Sequence, residues 1–188
     1  MELIIGVTGA TGTIYAVKLL ETLKDNKDVK TNLIMSQWAK VNLEIETEYT
    51  LNYLGNLANV VYDNDNLGAK TSSGSFITDG MVVLPCSMKT LSSVANGYCD
   101  NLISRTADVM IKEGRKLILC PRETPLSAIH LENMLKLSRL GVKIIPPMPA
   151  FYNHPLTIED IVEHHVMKIL DQLNIKYDKG KRWKGKIE

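Results

Sequence analysis

Five short apolar runs, separated by stretches with helical periodicity, constrain the fold of this chain more than any other feature of its sequence. The runs are rich in Val, Ile and Leu, and they cover residues 3–7, 31–35, 81–85, 117–120 and 142–145. Because nearly every position in each run is apolar, the pattern is typical of strands that are covered on both faces, as in a parallel sheet. We therefore predict an α/β protein with a three-layer, doubly wound, Rossmann-like fold and a mainly parallel sheet.

Two of the intervening segments have clear helical patterns. After the first run, the buried stripe of a helix is indicated by the spacing of Ala16, Leu19, Leu20 and Leu23. The last long segment opens with residues 157–160, of sequence TIED, which fits a capping box. We expect this last helix to turn one apolar side inwards, made of Ile158, Ile161, Val162, Ile169 and Leu173.

Length and charge limit the classes of partner. A chain of 188 residues has room for one domain with a substantial core, which we assign to residues 1–175. Residues 176–188 are too basic and too poor in aliphatic side chains to form a core alone, so we predict a basic C-terminal tail. The net charge of only +1 offers no strong attraction for nucleic acid or for an anionic membrane. We expect a small-molecule ligand.

Cysteine content and hydropathy indicate the compartment. The three cysteines, Cys86, Cys99 and Cys120, form no CxxC pair, and their odd number suits a reducing cytosol. No signal-peptide pattern is present, and no uncharged apolar stretch approaches the roughly 20 residues of a membrane helix. We therefore predict a soluble, cytoplasmic protein.

The loop after the first apolar run favours an anion. Ligands of open α/β sheets bind at the carboxyl ends of the strands, and there residues 9–12, of sequence GATG, open a helix whose N–H groups and dipole suit phosphate. Neither GxGxxG nor GK[ST] is present, and Ser36 stands where a dinucleotide fold would place an acid for the ribose. The pattern favours a mononucleotide phosphate over NAD.

The loops after the third and fourth runs carry further polar groups. In CSMKT, residues 86–90, the hydroxyls and the lysine could bind an anion, but helix capping is the simpler explanation. Arg122 has a planar fork suited to phosphate or carboxylate, and the adjacent Glu123 could move a proton. A structural ion pair between Arg122 and Glu123 is the alternative.

The remaining candidates have plainer explanations. Residues 146–152, of sequence PPMPAFY, could line a hydrocarbon pocket or only pack on their own domain. Arg105, Asp108 and Lys112 share one helical face, where solvated ion pairs are expected. The four histidines show no metal-ligand spacing, so we predict no metal.

Seven motifs follow one another along the whole chain: GVTGATG, SSGSF, PCSMKTL, ADVMIKEGRKL, RETPLSAIHLENM, PPMPAFYNHP and KRWKG. In this order they resemble the UbiX-type flavin prenyltransferases, and especially the B subunits associated with phenolic and hydroxyaromatic acid decarboxylases. The resemblance implies a flavoprotein that joins a dimethylallyl group from dimethylallyl monophosphate to N5 and C6 of reduced FMN, without a metal. The prenylated FMN would then serve a partner UbiD-type decarboxylase. Relatives form homo-oligomers, often dodecamers, with sites at subunit contacts.

The same resemblance assigns the site residues by position. The FMN site would consist of Gly9, Ala10, Thr11, Ser36, Ser87, Met88, Lys89, Thr90 and Arg122. Catalytic groups around the prenyl phosphate would be Glu46, Lys112, Arg122 and Glu123, with Glu123 as the proton shuttle. Substrate-binding groups would be Tyr152 and Lys168, and Trp183 could close over the site from its own or a neighbouring chain. Thr11 stands where many members have Ser, and Lys168 where some have Arg.

Three alternatives stay open. The chain could be an FMN-binding subunit or carrier of a phenolic or hydroxyaromatic acid decarboxylase, without transferase activity of its own. It could be a flavin-dependent decarboxylase, although cysteine decarboxylases of similar fold carry PASANT where this chain has PAFYN at residues 149–153. A nicotinamide enzyme is the third, weakened by Ser36.

Overall fold

A computed structural model describes residues 1–183 and 185 of the chain. Its centre is a parallel sheet of six strands: β1 (Glu2–Val7), β2 (Lys30–Met35), β3 (Val60–Asp63), β4 (Gly80–Cys86), β5 (Lys116–Pro121) and β6 (Lys143–Ile144). The spatial order is β3-β2-β1-β4-β5-β6, and all five neighbouring pairs are parallel. The predicted doubly wound α/β class is confirmed. Strand order reverses between β1 and β4, which places a crevice at their carboxyl ends.

Seven helices connect and cover the strands within the described part of the chain. They are α1 (Thr13–Lys24), α2 (Gln37–Glu46), α3 (Leu51–Leu57), α4 (Met88–Asn96), α5 (Leu102–Lys112), α6 (Ala128–Arg139) and α7 (Ile158–Leu173). A single 3-10 turn covers Lys70–Ser72. No helix among these residues is long and apolar enough to cross a membrane.

Two hydrophobic clusters, one on each face of the sheet, form the core. The first contains the predicted stripe of α1 and most of the apolar side of α7, and the second lies under α4 and α5. Cys120 packs in the first cluster and Cys86 in the second, so both act as small hydrophobic residues. This arrangement gives the three layers that the apolar runs predicted.

Strand β3 was not predicted. It lies at the edge of the sheet, where Val60 and Val61 are 42% and 54% exposed, so it lacks the continuous apolar run of a covered strand. Its pairing with β2 depends on a contact between distant segments, which local periodicity does not encode.

The capping box of α7 is confirmed, but its predicted inner face was partly wrong. Thr157 caps the amide of Asp160, and Asp160 bonds back to the Thr157 amide. Ile158 is 79% exposed, because it lies in the first turn, beyond the sheet that the later turns cover. At the other end, Tyr177 lies within the predicted tail but is buried in the first core cluster. Lys184 and residues 186–188 of the predicted tail lie outside the described residues.

Candidate active site

A cavity of about 420 Å³ lies at the carboxyl ends of β1, β2 and β4, within the size range of small-molecule sites. Its lining consists of Gly9, Ser36, Gln37, Trp38, Asn64, Asp65, Ser87, Lys89, Thr90, Ser93, Asp100 and Asn101. Five residues that the sequence predicted for the FMN site, Gly9, Ser36, Ser87, Lys89 and Thr90, are therefore brought together. The cavity lies at the switch point of the sheet, where the topology leads us to expect a ligand.

Two helices begin at this cavity. The Ser36 hydroxyl accepts a hydrogen bond from the Ala39 amide (3.2 Å), and the Ser87 hydroxyl accepts one from the Thr90 amide (3.3 Å), so each serine caps its helix. The earlier amides of both first turns have no partner within the helix, and each helix adds the positive end of its dipole. Lys89 contributes a cation at the start of α4, but it lies 4.0 Å from Asp100, and Asp100 and Asp65 add negative charge to the lining. The suitability of the cavity for an anion therefore rests on the two helix starts and not on the net charge of its side chains.

Thr8 connects the two strands that meet under the cavity. Its hydroxyl donates to the Pro85 carbonyl (2.8 Å) and accepts from the Ser87 amide (2.8 Å), and the residue is buried. These bonds place Ser87 beside the first loop. Sequence analysis missed Thr8, although a polar residue at the end of a buried strand is a signal that could have identified it.

Gly9 allows α2 to approach the first loop closely. A Cβ atom at Gly9 would lie 2.6 Å from the Trp38 Cβ, a separation at which one of the two must move. Trp38 itself is 69% exposed and lines the cavity. Sequence analysis missed Trp38 as a lining residue, because its contact with Gly9 joins two separate loops.

The N-terminus of α1 is occupied by a carboxylate of the chain itself. Oε2 of Glu46 accepts hydrogen bonds from the amides of Gly12 (2.8 Å) and Thr13 (3.1 Å) and from the Thr13 hydroxyl (3.1 Å). Burial raises the pKa of Glu46, but these bonds and one from the Thr11 side chain outweigh it and hold the pKa below its ordinary value. Glu46 thus accepts from the donors that the sequence assigned to a phosphate, and a phosphate at this helix end stays a prediction.

Arg122 and Glu123 follow β5 directly and are both exposed. The Arg122 amide donates to the Cys86 carbonyl (3.1 Å), which holds the loop beside the start of α4. Glu123 accepts a bond from the Thr124 amide (2.9 Å), and no ion pair joins it to Arg122. The alternative of a structural salt bridge was wrong, and both side chains remain open to a ligand.

A second polar group forms around His164 of α7. The Tyr152 hydroxyl lies 3.2 Å from Nε2 of His164, and their rings meet edge to face with centroids 5.5 Å apart. Trp183 also packs against the Tyr152 ring, with centroids 5.8 Å apart. Trp183 therefore contacts Tyr152 of its own chain, which is a predicted substrate-binding residue. Lys168 lies one turn after His164 and is exposed. Tyr152 therefore contacts both His164 and Trp183, and Lys168 follows His164 on the same helix. His164 was not predicted as a site residue.

Comparison with known proteins gives full-length matches. A family model described as Flavoprotein matches residues 1–170. The flavin prenyltransferase LpdB of Lactiplantibacillus plantarum is 57% identical over 184 residues, which cover 98% of this chain and 98% of LpdB. The chain belongs to the UbiX-like flavin prenyltransferase family.

Solved structures of UbiX-like proteins have the same architecture. A dodecameric FMN-dependent UbiX-like decarboxylase from Escherichia coli O157:H7 is 54% identical, with a TM-score of 0.97 over 98% of this chain and 100% of that one. AnUbiX (PadA1), in complex with FMN and dimethylallyl pyrophosphate, is 46% identical, with a TM-score of 0.96 over 99% of this chain and 98% of that one.

One predicted catalytic residue of this UbiX-like chain lies far from the cavity. Lys112 ends α5 and forms an ion pair with Glu113, and both lie against Gly74 in the segment that leads into β4. This is the amino edge of the sheet, whereas the N-cap of α5, Asn101, lines the cavity. A helix of 11 residues spans about 16 Å at 1.5 Å per residue, so one copy of the chain does not bring Lys112 to the cavity.

The remaining predicted residues lie around the rim. The Ala10 carbonyl accepts a bond from the Asn42 side chain (3.3 Å), and Thr11 is exposed beside Glu46. Met88 is half-buried and packs against the second core cluster. Within residues 1–183 and 185, no cluster of three or more His, Cys, Asp or Glu side chains could hold a metal ion.

Proposed function

We propose that this chain is a flavin prenyltransferase that transfers the dimethylallyl group of dimethylallyl monophosphate to N5 and C6 of reduced FMN. The proposal is carried by the full-length match to a flavin prenyltransferase at 57% identity. It is supported by the match to AnUbiX, whose structure contains both FMN and dimethylallyl pyrophosphate.

The cavity fits FMN. Its volume of about 420 Å³ suits a flavin, and the starts of α2 and α4, with Ser36, Ser87 and Lys89, offer donors and positive charge to the phosphate. The absence of a side chain at Gly9 lets this loop and Trp38 form one wall. When bound, reduced FMN supplies the electron-rich ring that receives the prenyl group.

Charges on the chain would stabilise the leaving phosphate. As the allylic C–O bond breaks, negative charge collects on the phosphate oxygens, where Arg122, Lys168 and the Tyr152 hydroxyl can meet it. Arg122 is open for such a role because it has no ion pair with Glu123. The exposed Glu123 carboxylate, held by the Thr124 amide, would accept and return the proton that ring closure moves.

The enzyme would act as a homo-oligomer. Lys112 can reach a cavity only from another copy, because it lies at the other edge of its own sheet. Helix α6 supports assembly, since it buries only Leu137 and exposes Ile129, Leu131 and Leu135. A dodecamer is the expected form, as in the relative from Escherichia coli.

The product would be passed to a UbiD-type decarboxylase, since prenylated FMN has no use in the transferase itself. We place this exchange in the cytoplasm. The thiols of Cys86, Cys99 and Cys120 are free, which suits a reducing compartment.

Anaerobic incubation of the purified protein with reduced FMN and dimethylallyl monophosphate, followed by mass spectrometry of the released flavin, tests the proposal. We expect the flavin to gain one C5 unit, and the diphosphate donor should be run in parallel. Glu123→Gln should keep FMN binding and lower turnover by about 10²–10⁴-fold, whereas the exposed Glu132→Gln on α6 serves as control. Unmodified FMN with both donors would overturn the proposal and favour the carrier alternative.

A further inference from the structure

We propose that His164 is a positioning residue for the prenyl-phosphate site: it holds the Tyr152 hydroxyl so that the Tyr152 proton points to a phosphate oxygen. The inference rests on the proposed function for the identity of the phosphate ester. The evidence for a positioning role is the set of contacts among Tyr152, Asn153 and His164.

The ring of His164 is held from both nitrogens. Nε2 lies 3.2 Å from the Tyr152 hydroxyl, and Nδ1 lies 3.4 Å from the side-chain amide nitrogen of Asn153. His164 is only 7% exposed, whereas Tyr152 is 45% exposed. The histidine is therefore fixed in the protein, while the Tyr152 residue is partly open to a ligand.

These partners select one tautomer. The Asn153 NH₂ group can only donate, so Nδ1 accepts and the ring proton lies on Nε2. The opposite amide orientation would leave a buried NH₂ group, with its two donors, without an acceptor, whereas the described orientation leaves only the Asn153 carbonyl oxygen without a partner. Nε2–H then donates to the Tyr152 oxygen.

This direction of donation matters for a phosphate ligand. Phosphate oxygens carry negative charge and accept hydrogen bonds, so Tyr152 contributes only if its own proton is free to point outwards. A histidine that accepted the tyrosine proton would remove this donor. With Nε2–H as donor, the Tyr152 oxygen accepts the hydrogen bond from His164, and the Tyr152 proton remains available for a phosphate oxygen.

Burial, and then the neighbouring charge of Lys168, favour the neutral form of the His164 ring. Burial lowers the pKa of His164, the Lys168 ammonium lowers it further, and Asp171 opposes them. Asp171 is engaged with Arg182 in two hydrogen bonds of 2.8 and 2.7 Å. Lys168, which is exposed and lies one turn from His164, therefore has its positive charge available to a ligand.

A double-mutant cycle on the FMN-loaded full chain tests the proposal. His164→Leu should lower kcat/KM for dimethylallyl monophosphate about tenfold, and His164→Gln, which keeps an N–H group near the Nε2 position, should restore it to within about threefold. In a Tyr152→Phe background, His164→Leu should change kcat/KM by less than about twofold, because the hydroxyl through which it acts is absent.

Matched controls separate positioning from folding. His165→Leu changes the next buried histidine, which contacts Tyr15 instead of Tyr152, and should leave kcat/KM unchanged. Retained FMN and an unchanged assembly size establish that each variant is folded. If His164→Leu lost these properties, His164→Gln would decide the question: a folded His164→Gln chain with kcat/KM about tenfold or more below wild type would overturn the proposal, and a value within about threefold would support it.

Calorimetric binding of dimethylallyl monophosphate to the same variants separates this inference from the proposed function. If ester binding by the wild-type chain and the variants shows the coupling between His164 and Tyr152, but the wild-type chain forms no prenylated flavin, the function fails and the inference holds. If transfer occurs and the effects of His164→Leu and Tyr152→Phe are additive, the inference is overturned and the function stands. Absence of both binding and transfer overturns both.

Discussion

The carboxylate of Glu46 accepts hydrogen bonds from both the backbone amide and the hydroxyl of Thr13, each 3.1 Å long. The two residues are 33 positions apart, and together they close the N-terminus of α1. Glu46 thus acts first as a structural cap, whichever further role it has toward substrate.

Glu46→Gln should destabilise the folded chain by about 0.5–1 kcal/mol at neutral pH, because it removes a negative charge from a helix N-terminus. The pKa of Glu46 is lowered by folding, so this contribution is present above the ordinary glutamate range, at about pH 5 and higher, and is lost as pH falls through the lowered pKa. Urea unfolding at pH 7 and at pH 3.5 measures it. Glu44→Gln on the same helix is the control, and an equal loss for both variants would contradict the capping role.

Gly9→Ala should cost about 1–3 kcal/mol and weaken FMN binding, because the new methyl group would lie 2.6 Å from the Trp38 Cβ. Thermal unfolding and flavin titration measure the two effects. Gly55→Ala is a matched control inside α3, where the methyl group would meet Val61 at an ordinary 3.8 Å and should stabilise by about 0.5–1 kcal/mol. Unchanged flavin affinity in Gly9→Ala would show that the loop at Gly9 is not part of the FMN site.

Arg182→Met should release Trp183 from Tyr152, because the Arg182–Asp171 pair holds the tail on α7. The pair is partly exposed, so stability should change by less than about 1 kcal/mol, while KM for dimethylallyl monophosphate should rise about threefold or more. Emission of Trp183 in a Trp38→Phe background reports the release as a red shift. Lys176→Met, which breaks only the exposed pair with Asp178, should change neither value. Identical behaviour of the two variants would refute a role for the tail.

His165 should make the protein less stable in mild acid. Burial, and then the neighbouring His164, lower its pKa from 6.5 to about 4. In the unfolded chain this histidine therefore binds a proton below about pH 6.5, whereas in the folded chain it does so only below about pH 4. The free energy of unfolding therefore falls as pH drops from about 6.5 to about 4. The loss should be roughly 2 kcal/mol at pH 5 and absent from His165→Leu. Urea unfolding at pH 7.5 and 5 measures it, with the exposed His154→Asn as control. Parallel pH profiles for wild type and His165→Leu would exclude His165 as the cause.

Much of the fold could be predicted because its signals are local. The five apolar runs became β1, β2, β4, β5 and β6, and the helix starts at Ser87 and Thr157 have the capping bonds that their side chains indicate. The exceptions occur where the apolar character of a residue does not match its burial. Strand β3 is half exposed at the edge, and Ile158 carries an apolar side chain into an exposed first turn.

The candidate site could be predicted only in part. Glycines and hydroxyls after the strands pointed to the cavity, since the carboxyl ends of parallel strands meet at one edge. Trp38, Thr8 and His164 were missed because their importance arises from contacts with other loops. Lys112 was identified by position in a motif, and the structure places it at the opposite edge of its own sheet.

The sequence by itself determined the α/β class, most strands and helices, and the identity of many polar residues at the strand ends, since apolar periodicity and capping act over a few neighbouring residues. Tertiary structure alone decided that Glu46 closes α1, that Arg122 and Glu123 are not paired, and that Tyr152 meets His164. These relationships depend on how helices and loops pack around the sheet, because packing sets the distances between side chains from different elements.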